Sequence, residues 1–273
     1  MCRLSLFAAW IAASLDGSTA WVSGSHPQIP RGVQRIADPM SAEASLTFYT
    51  LDMCPYAQRC WIVFEELGVP YKTESVNLRD PVEKAKFLED VNPRGKVPAL
   101  VDSDTGLTVF ESLIINEYLC ERFASEGGSS LLPPAADARA KIRLWNEHLD
   151  TQLAPAHFTL LMNKDEETAA AKRAALDAAL RHYEESLVGP FLCGEVFTLA
   201  DVSALPFFER LVFSLSHFKG TDPLEGFPRT AEWLRRAMQR ESFITTKRPE
   251  DKLVALYERF LAIDYGFGGL NKS

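Results

Sequence analysis

A cysteine followed directly by proline, wedged between a β-rich run and an apolar helical repeat, constrains this chain more than any other feature. Leu46-Thr47-Phe48-Tyr49-Thr50 is followed by a short turn and Cys54-Pro55, after which Cys60, Val63, Phe64 and Leu67 recur at helical spacing. Residues 46–64 therefore read as strand, loop and helix. Proline suits the first turn of a helix, where its missing N–H would be unpaired anyway, so Cys54 falls at or just before the helix start. Free backbone N–H groups and the positive end of the helix dipole there favour a thiolate. A cysteine so placed is expected to have its pKa depressed, to roughly 3.5–7.5 against about 8.5 for a free thiol. The competing reading is a buried, inert small residue.

The remaining order follows from punctuation. Gly68-Val69-Pro70 ends the first helix, and residues 71–76 read as a second strand. Asp80-Pro81 opens a helix to about Val91, with Phe87, Leu88 and Val91 on one face. After the turn Asn92-Pro93-Arg94-Gly95-Lys96, residues 97–101 form a strand whose Pro98 suits a cis bond in a tight turn. A hairpin loop over 102–106 leads to a partner strand over 107–110, and Glu111-Ser112 ends it and starts a helix carrying Leu113, Ile114, Tyr118 and Leu119. The order β-α-β-α-β-β-α fills about 80 residues.

Gly127-Gly128-Ser129-Ser130 to Pro133-Pro134 is the linker, and beyond it the pattern is helical. One long helix is expected over 136–162 and another over 166–187, the latter with Leu176, Ala179, Leu180, Tyr183 and Leu187 on one stripe. Thr198-Leu199-Ala200-Asp201 is a capping box with Asp in the usual Glu or Gln place, a structural device that starts a buried helix. Two further helices are expected, about 228–239 and 250–263. The resulting division is 1–45 leader or extension, 46–125 α/β domain, 126–135 linker, 136–264 all-helical domain and 265–273 tail.

Composition bounds the function. With 273 residues, 47% hydrophobic and 24% charged, the chain has material for two domains with full cores. A net charge of −8 argues against a nucleic-acid-binding surface, which needs a basic face. The five cysteines, Cys2, Cys54, Cys60, Cys120 and Cys193, are widely separated and read as mainly free thiols. His148, His157 and His182 lack metal-ligand spacing, so no metal is expected. At the front, the apolar run 4–15, the small residues Ser18-Thr19-Ala20 and an acid-free stretch over 17–37 resemble the two-part leader of a plastid acquired by secondary endosymbiosis. The expected location is accordingly organellar, in a plastid; without a leader it is cytoplasmic. The apolar run is too short to span a bilayer, which needs about 20 residues.

Taken together, Cys54-Pro55-Tyr56-Ala57-Gln58-Arg59, Lys96-Val97-Pro98, Glu111-Ser112 and the capping segment 198–201 resemble a glutathione transferase. The likeness is to the cysteine-type lambda and omega classes and the related dehydroascorbate reductases, and it covers about 46–264. It implies a thioredoxin-like α/β N-terminal domain followed by an all-α C-terminal domain, with glutathione as co-substrate. It also implies Cys54 as catalytic residue and Tyr56, Lys96, Val97, Pro98, Glu111 and Ser112 as glutathione-binding residues. Val97 would pair its backbone with the cysteinyl unit, Glu111 would take the ammonium of the γ-glutamyl group, and Ser112 would hold its carboxylate at a helix start. Arg79, Lys84 and Lys96 are the cations available to the glycyl carboxylate. The plain alternatives are a solvated carboxylate at Glu111 and a simple N-cap at Ser112.

A cysteine in that place forms a mixed disulfide with glutathione, which makes the enzyme a thiol transferase or dehydroascorbate reductase. Ala57 removes the Cys-x-x-Cys pair, so the cycle is monothiol and a second glutathione resolves it; Cys60, on the apolar stripe, reads as core. Trp145, His148 and Phe158 are expected on the acceptor cleft. The acceptor is a small molecule or a glutathionylated substrate, and the state a monomer or homodimer. Two other readings compete: a non-catalytic carrier of glutathione-adducted or hydrophobic small molecules, and a membrane-associated protein similar to the chloride intracellular channel proteins, for which residues 46–273 offer no stable span.

Overall fold

The computed structural model describes residues 44–124 and 130–262. All but the last two residues of the expected leader, the start of the linker and the tail lie outside these residues. Four strands, β1 (Leu46–Thr50), β2 (Lys72–Ser75), β3 (Ala99–Asp102) and β4 (Leu107–Phe110), form one mixed sheet in the order β2-β1-β3-β4. β1 runs parallel to β2 and antiparallel to β3, and β3 and β4 make the hairpin. Alternation along β1 decides what covers each face. Phe48 meets Trp61 and Phe64 of helix α1 (Pro55–Leu67), with ring centroids 6.0 and 5.3 Å away. Tyr49 points the other way, to Phe87 of α2 (Pro81–Asp90) at 5.8 Å. Helix α3 (Ser112–Arg122) packs along α1. This is the thioredoxin-like half.

Local chemistry fixes these boundaries. Gly68 ends α1 at φ +62°, a left-handed conformation that glycine adopts without a Cβ clash, and its N–H caps the carbonyls of Glu65 and Phe64. Asp80 accepts hydrogen bonds from the Val82 and Glu83 N–H groups and so caps α2. The Val97-Pro98 peptide is cis, as the sequence suggested.

The second half is all-helical. The helix expected over 136–162 is instead α4 (Ala136–His148), a π-helical turn (Leu149–Leu153) and α5 (Ala154–Leu161). Pro155 has no N–H for the carbonyl four residues back, and the N–H of Ala154 reaches Leu149 instead of the usual partner. Then come α6 (Glu166–Ser186), α7 (Leu199–Lys219), α8 (Pro228–Ala237), α9 (Glu241–Thr246) and α10 (Glu250–Ala262). Sequence reasoning missed α9. It is one and a half turns long, and Ile244, Thr245 and Thr246 are β-branched. Tertiary contact holds it: Ser242 and Arg240 both donate to Glu66 of α1, at 2.5 and 2.7 Å.

Helix α7 is buried from Leu199 to Val212 and forms the axis of the helical half. The capping box at its start is formed, with the Thr198 N–H 2.9 Å from Asp201 Oδ2. Asp201 is fully buried and also accepts from the Leu192 N–H and from Trp233 Nε1, both at 2.8 Å. Its role is structural, as the sequence implied. Asp201→Asn would turn an amide N–H₂ toward donors and is expected to cost about 2 kcal/mol, the usual penalty for unsatisfied buried groups. Urea unfolding checks this; a loss under 0.5 kcal/mol would mean that the donors find other acceptors.

Helix α1 is the seam between the halves. Its residues Ala57 to Phe64 are all buried, because the sheet covers one side and α7 and α9 cover the other.

Candidate functional site

Cys54 stands at the cap position of α1, in extended backbone conformation with φ −75°, held by its N–H to the Leu51 carbonyl at 3.0 Å. The residue is half-buried and its thiol is free. It lines a cleft of about 1680 Å³ between the α/β half and the helical half. Polar groups come from both halves, with Cys54, Tyr56, Asn77 and Arg79 on one and Asp150 on the other; the helical half also supplies an apolar wall, Phe158 and Met162 near the end of α5 and Leu256 and Phe260 of α10.

The expectation of a depressed thiol pKa is corrected. Burial pushes the Cys54 thiol above its ordinary value. Four groups oppose this: the backbone N–H dipoles of Ala57 and Tyr56, then the guanidiniums of Arg210 and Arg59. The N–H groups make no formal side-chain cap, yet they face the sulfur and pull its pKa down. The helix-start argument thus has the right sign, and desolvation is larger.

Two arginines that sequence reasoning quoted without a role, or passed over, organise this corner. Arg59 is fully buried. Its Nη2 lies 2.6 Å from Asp150 Oδ1, its Nε donates to the Ser203 carbonyl at 3.1 Å and its Nη1 to Ser112 Oγ at 3.2 Å. The guanidinium sits over the rings of Tyr56 and Phe207, at 5.1 and 4.4 Å from their centroids. Arg210 reaches the start of α1 from α7, donating from Nη1 to Gln58 Oε1 at 2.7 Å and from Nη2 to the Met53 carbonyl at 3.4 Å. One signal could have found Arg59: a charged residue leading directly into the apolar run 60–64 requires a partner.

The predicted site residues divide into groups. Cys54 and Tyr56 share the cleft lining. Ser112 joins them through Arg59, and its carbonyl lies 3.8 Å from the Cys60 sulfur. Because Ser112 Oγ accepts from Arg59, its own O–H remains to donate. Glu111 precedes α3 with φ +72°. That region is strained for a side-chain-bearing residue and concentrates at ligand clamps. Its carboxylate pairs with Arg94 Nη1 at 2.6 Å, with both groups well exposed. Val97 and Pro98 form the cis turn before β3; Val97 packs beside Val76, Phe87 and Ala99, and Pro98 is buried. Lys96 is exposed, and its carbonyl accepts from Asn92 Nδ2 at 2.6 Å. Of the three candidate cations Arg79, Lys84 and Lys96, it is Arg79 that lines the cleft.

Two expectations for the acceptor wall fail. Trp145 is buried against Tyr183, with ring centroids 4.8 Å apart, and His148 is bound to the Ala179 carbonyl at 3.0 Å and packed on His182. Phe158 alone of the three lines the cleft. Cys60 is buried, and burial pushes its thiol well above the ordinary range, so it is a core residue. Among the described residues no cluster of His, Cys, Asp and Glu is arranged to hold a metal, and no helix is long and apolar enough to cross a membrane.

Comparison with known proteins gives a consistent result. Residues 53–122 match the family described as glutathione S-transferase, N-terminal domain, and residues 166–236 match glutathione S-transferase, C-terminal domain. The chain is 31% identical over 207 residues to glutathione S-transferase DHAR2 of Arabidopsis thaliana, covering 75% of this chain and 89% of that protein. It is 30% identical over 217 residues to the Arabidopsis thaliana protein named glutathione S-transferase L2, chloroplastic, covering 80% and 71%. The crystal structure of glutathione transferase Omega 3C from Trametes versicolor is similar with a TM-score of 0.70 and 30% identity, covering 81% of this chain and 93% of that one.

Proposed function

Because the chain belongs to the glutathione S-transferase family, whose members use glutathione as co-substrate, we propose that it is a cysteine-type member resembling the lambda and omega classes. Its activity is glutathione-dependent thiol transfer or dehydroascorbate reduction. The observation that carries this reading is Cys54 at the start of α1, open to the cleft, with the N–H dipoles of Tyr56 and Ala57 at its sulfur and the positive charges of Arg59 and Arg210 nearby.

The Cys54 thiolate attacks the glutathione sulfur of a glutathionylated acceptor; the Cys54–glutathione disulfide forms and the acceptor leaves as a thiolate that takes up a proton. A second glutathione thiolate then attacks the glutathione sulfur of that disulfide, releasing glutathione disulfide and regenerating Cys54. Dehydroascorbate reduction draws its two electrons and two protons from the same pair of glutathiones. No second cysteine enters, since Ala57 occupies the resolving position and Cys60 is buried.

Glutathione is held by Tyr56, the backbone of Val97 beside Pro98, Glu111 for the ammonium and Ser112 for the γ-glutamyl carboxylate. The O–H left to Ser112 and the N-terminus of α3 suit a carboxylate. Arg79 is favoured over Lys96 for the glycyl carboxylate, because it lines the cleft. The apolar wall receives a small-molecule or glutathionylated acceptor, and the protein works as a monomer or homodimer. An organellar, plastid location belongs to the same proposal; it rests on the leader-like first 45 residues and accords with a relative named chloroplastic.

Mass spectrometry after incubation with glutathione disulfide tests the mechanism, on protein beginning near Ser45. Wild type is expected to gain one glutathione, removable by reduced glutathione, and Cys54→Ser none. No adduct on wild type would favour the carrier reading, for which the apolar wall of Phe158, Met162, Leu256 and Phe260 is the supporting feature.

A further inference from the structure

We propose that Arg210, on the helical half, is a positioning residue for Cys54: its guanidinium fixes the turn that carries the thiol and supplies the positive charge that the thiolate requires. The inference rests on the reading of Cys54 as nucleophile and assigns part of its activation to the helical half.

The geometry is that of a buried fork aimed at one turn. Arg210 is 2% exposed and lines the cleft beside Cys54 and Met53. Through Nη2 it holds the carbonyl of Met53, the residue before the nucleophile, and through Nη1 it holds Gln58, one turn after it. The same Nη1 donates to the Pro206 carbonyl at 3.0 Å, which braces the side chain along its own helix. Its Nε is buried without a protein partner. Glu209 offsets part of the cost of burying this cation, but the Nε donor beside the reactive sulfur stays unspent, which packing alone leaves unexplained. A role for that charge in the cleft accounts for the arrangement.

Other charged and titratable groups face the same corner. On α1 these are Tyr56, Arg59 and Cys60; before it, Asp52, paired with Arg248 at 3.2 Å; in the π turn, Asp150; on α10, Tyr257; and on α7, Glu209, whose Oε2 lies 3.2 Å from Arg210 Nη1. Asp150 neutralises much of Arg59 at 2.6 Å. Glu209 contacts Arg210 less closely and keeps its other oxygen unpartnered. Arg210 is therefore the less compensated of the two arginines. Its Coulombic pull on Cys54 is the larger of the two, and both oppose the effect of burial.

The test follows alkylation of Cys54 by iodoacetamide across pH, read by the mass of the labelled peptide, with circular dichroism and melting curves as folding controls. Arg210→Gln is expected to move the alkylation midpoint up by about one pH unit, the usual effect of one nearby charge, and to slow labelling at pH 7 about tenfold. Arg210→Lys keeps the charge and restores most of that shift. Should Arg210→Gln fail to fold, Glu209→Gln keeps the inference falsifiable, because it leaves the fork and removes the anion beside it. Its midpoint is expected to move down. A folded Arg210→Gln with the wild-type midpoint, or a Glu209→Gln midpoint that stays or rises, would overturn the inference. Alkylation needs no glutathione, so a failed glutathione adduct on wild type would count against the proposed function and not against Arg210.

Discussion

Arg59→Met is expected to lower folding stability by about 3–5 kcal/mol, the range found when one partner of a buried ion pair is removed. The reason lies in what the substitution leaves behind. The Ser203 carbonyl loses its 3.1 Å donor and Ser112 Oγ its 3.2 Å donor, while Asp150 keeps its charge without its 2.6 Å partner. Two aromatic faces, Tyr56 and Phe207, also lose the cation over them. Asp150 is 32% exposed and can turn to water, which places the expected loss toward the lower end of that range. The melting temperature should fall by roughly 10 °C, at the 2–4 °C per kcal/mol usual for a domain of this size. Asp150→Leu combined with Arg59→Met should recover part of it, since an apolar pair replaces an ion pair at little cost, whereas a single orphaned charge is expensive. A loss below 1 kcal/mol in Arg59→Met would show that water replaces all three contacts. A functional effect accompanies the structural one, because Ser112 is oriented by Arg59 and is the residue proposed for the γ-glutamyl carboxylate.

What could be read from the sequence, and what could not, follows the range of the forces involved. Cys54-Pro55, Gly68, Asp80-Pro81 and Thr198 to Asp201 are local devices: each satisfies backbone groups within a few residues of itself, and each element boundary they implied is found. Arg59 and Arg210 are different. Arg59 reaches Asp150, 91 residues away, and Arg210 reaches Gln58, 152 residues away, and only the docking of the two halves makes these contacts. A charged residue in a helical pattern is read by default as solvated, so neither was assigned a role in advance. The acceptor wall failed for a third reason. A π turn adds a residue to the helical count and shifts the facing of everything beyond it by about 100°. His148, before the turn, is held against the core, whereas Phe158, about 80° from it in an unbroken helix, lies beyond the turn and faces the cleft; Trp145 and Phe158 would not share a face even without the turn. The thiol itself shows the limit of reasoning from one helix: its dipole was visible in the sequence, but its desolvation depends on the whole neighbourhood.

His157 should make the helical half acid-sensitive. It is buried on α5, with Nε2 2.7 Å from Ser214 Oγ of α7, and burial lowers its pKa from 6.5 to about 3. In the unfolded chain it returns to about 6.5. Between those two values the unfolded chain binds a proton that the folded protein refuses, so folding is disfavoured as pH falls. The contribution is absent above about pH 6.5 and grows by about 1.4 kcal/mol per pH unit below it, until protonation of the folded form near pH 3. Between pH 7.5 and 4.5 the wild type is therefore expected to lose about 3 kcal/mol more than His157→Gln, which keeps a hydrogen-bonding group for Ser214 and does not titrate. Urea unfolding at the two pH values measures the difference, and equal losses in both proteins would show that His157 takes up its proton in the folded state. The consequence reaches the cleft through one neighbour. His157 stacks on Phe158, with ring centroids 5.0 Å apart, and Phe158 lines the apolar wall. Acid that forces His157 out of its site thus disturbs the acceptor wall through Phe158, at a pH where the Cys54 thiolate has already been depleted by its raised pKa, so acceptor binding should outlast the ability of Cys54 to take up glutathione as pH falls.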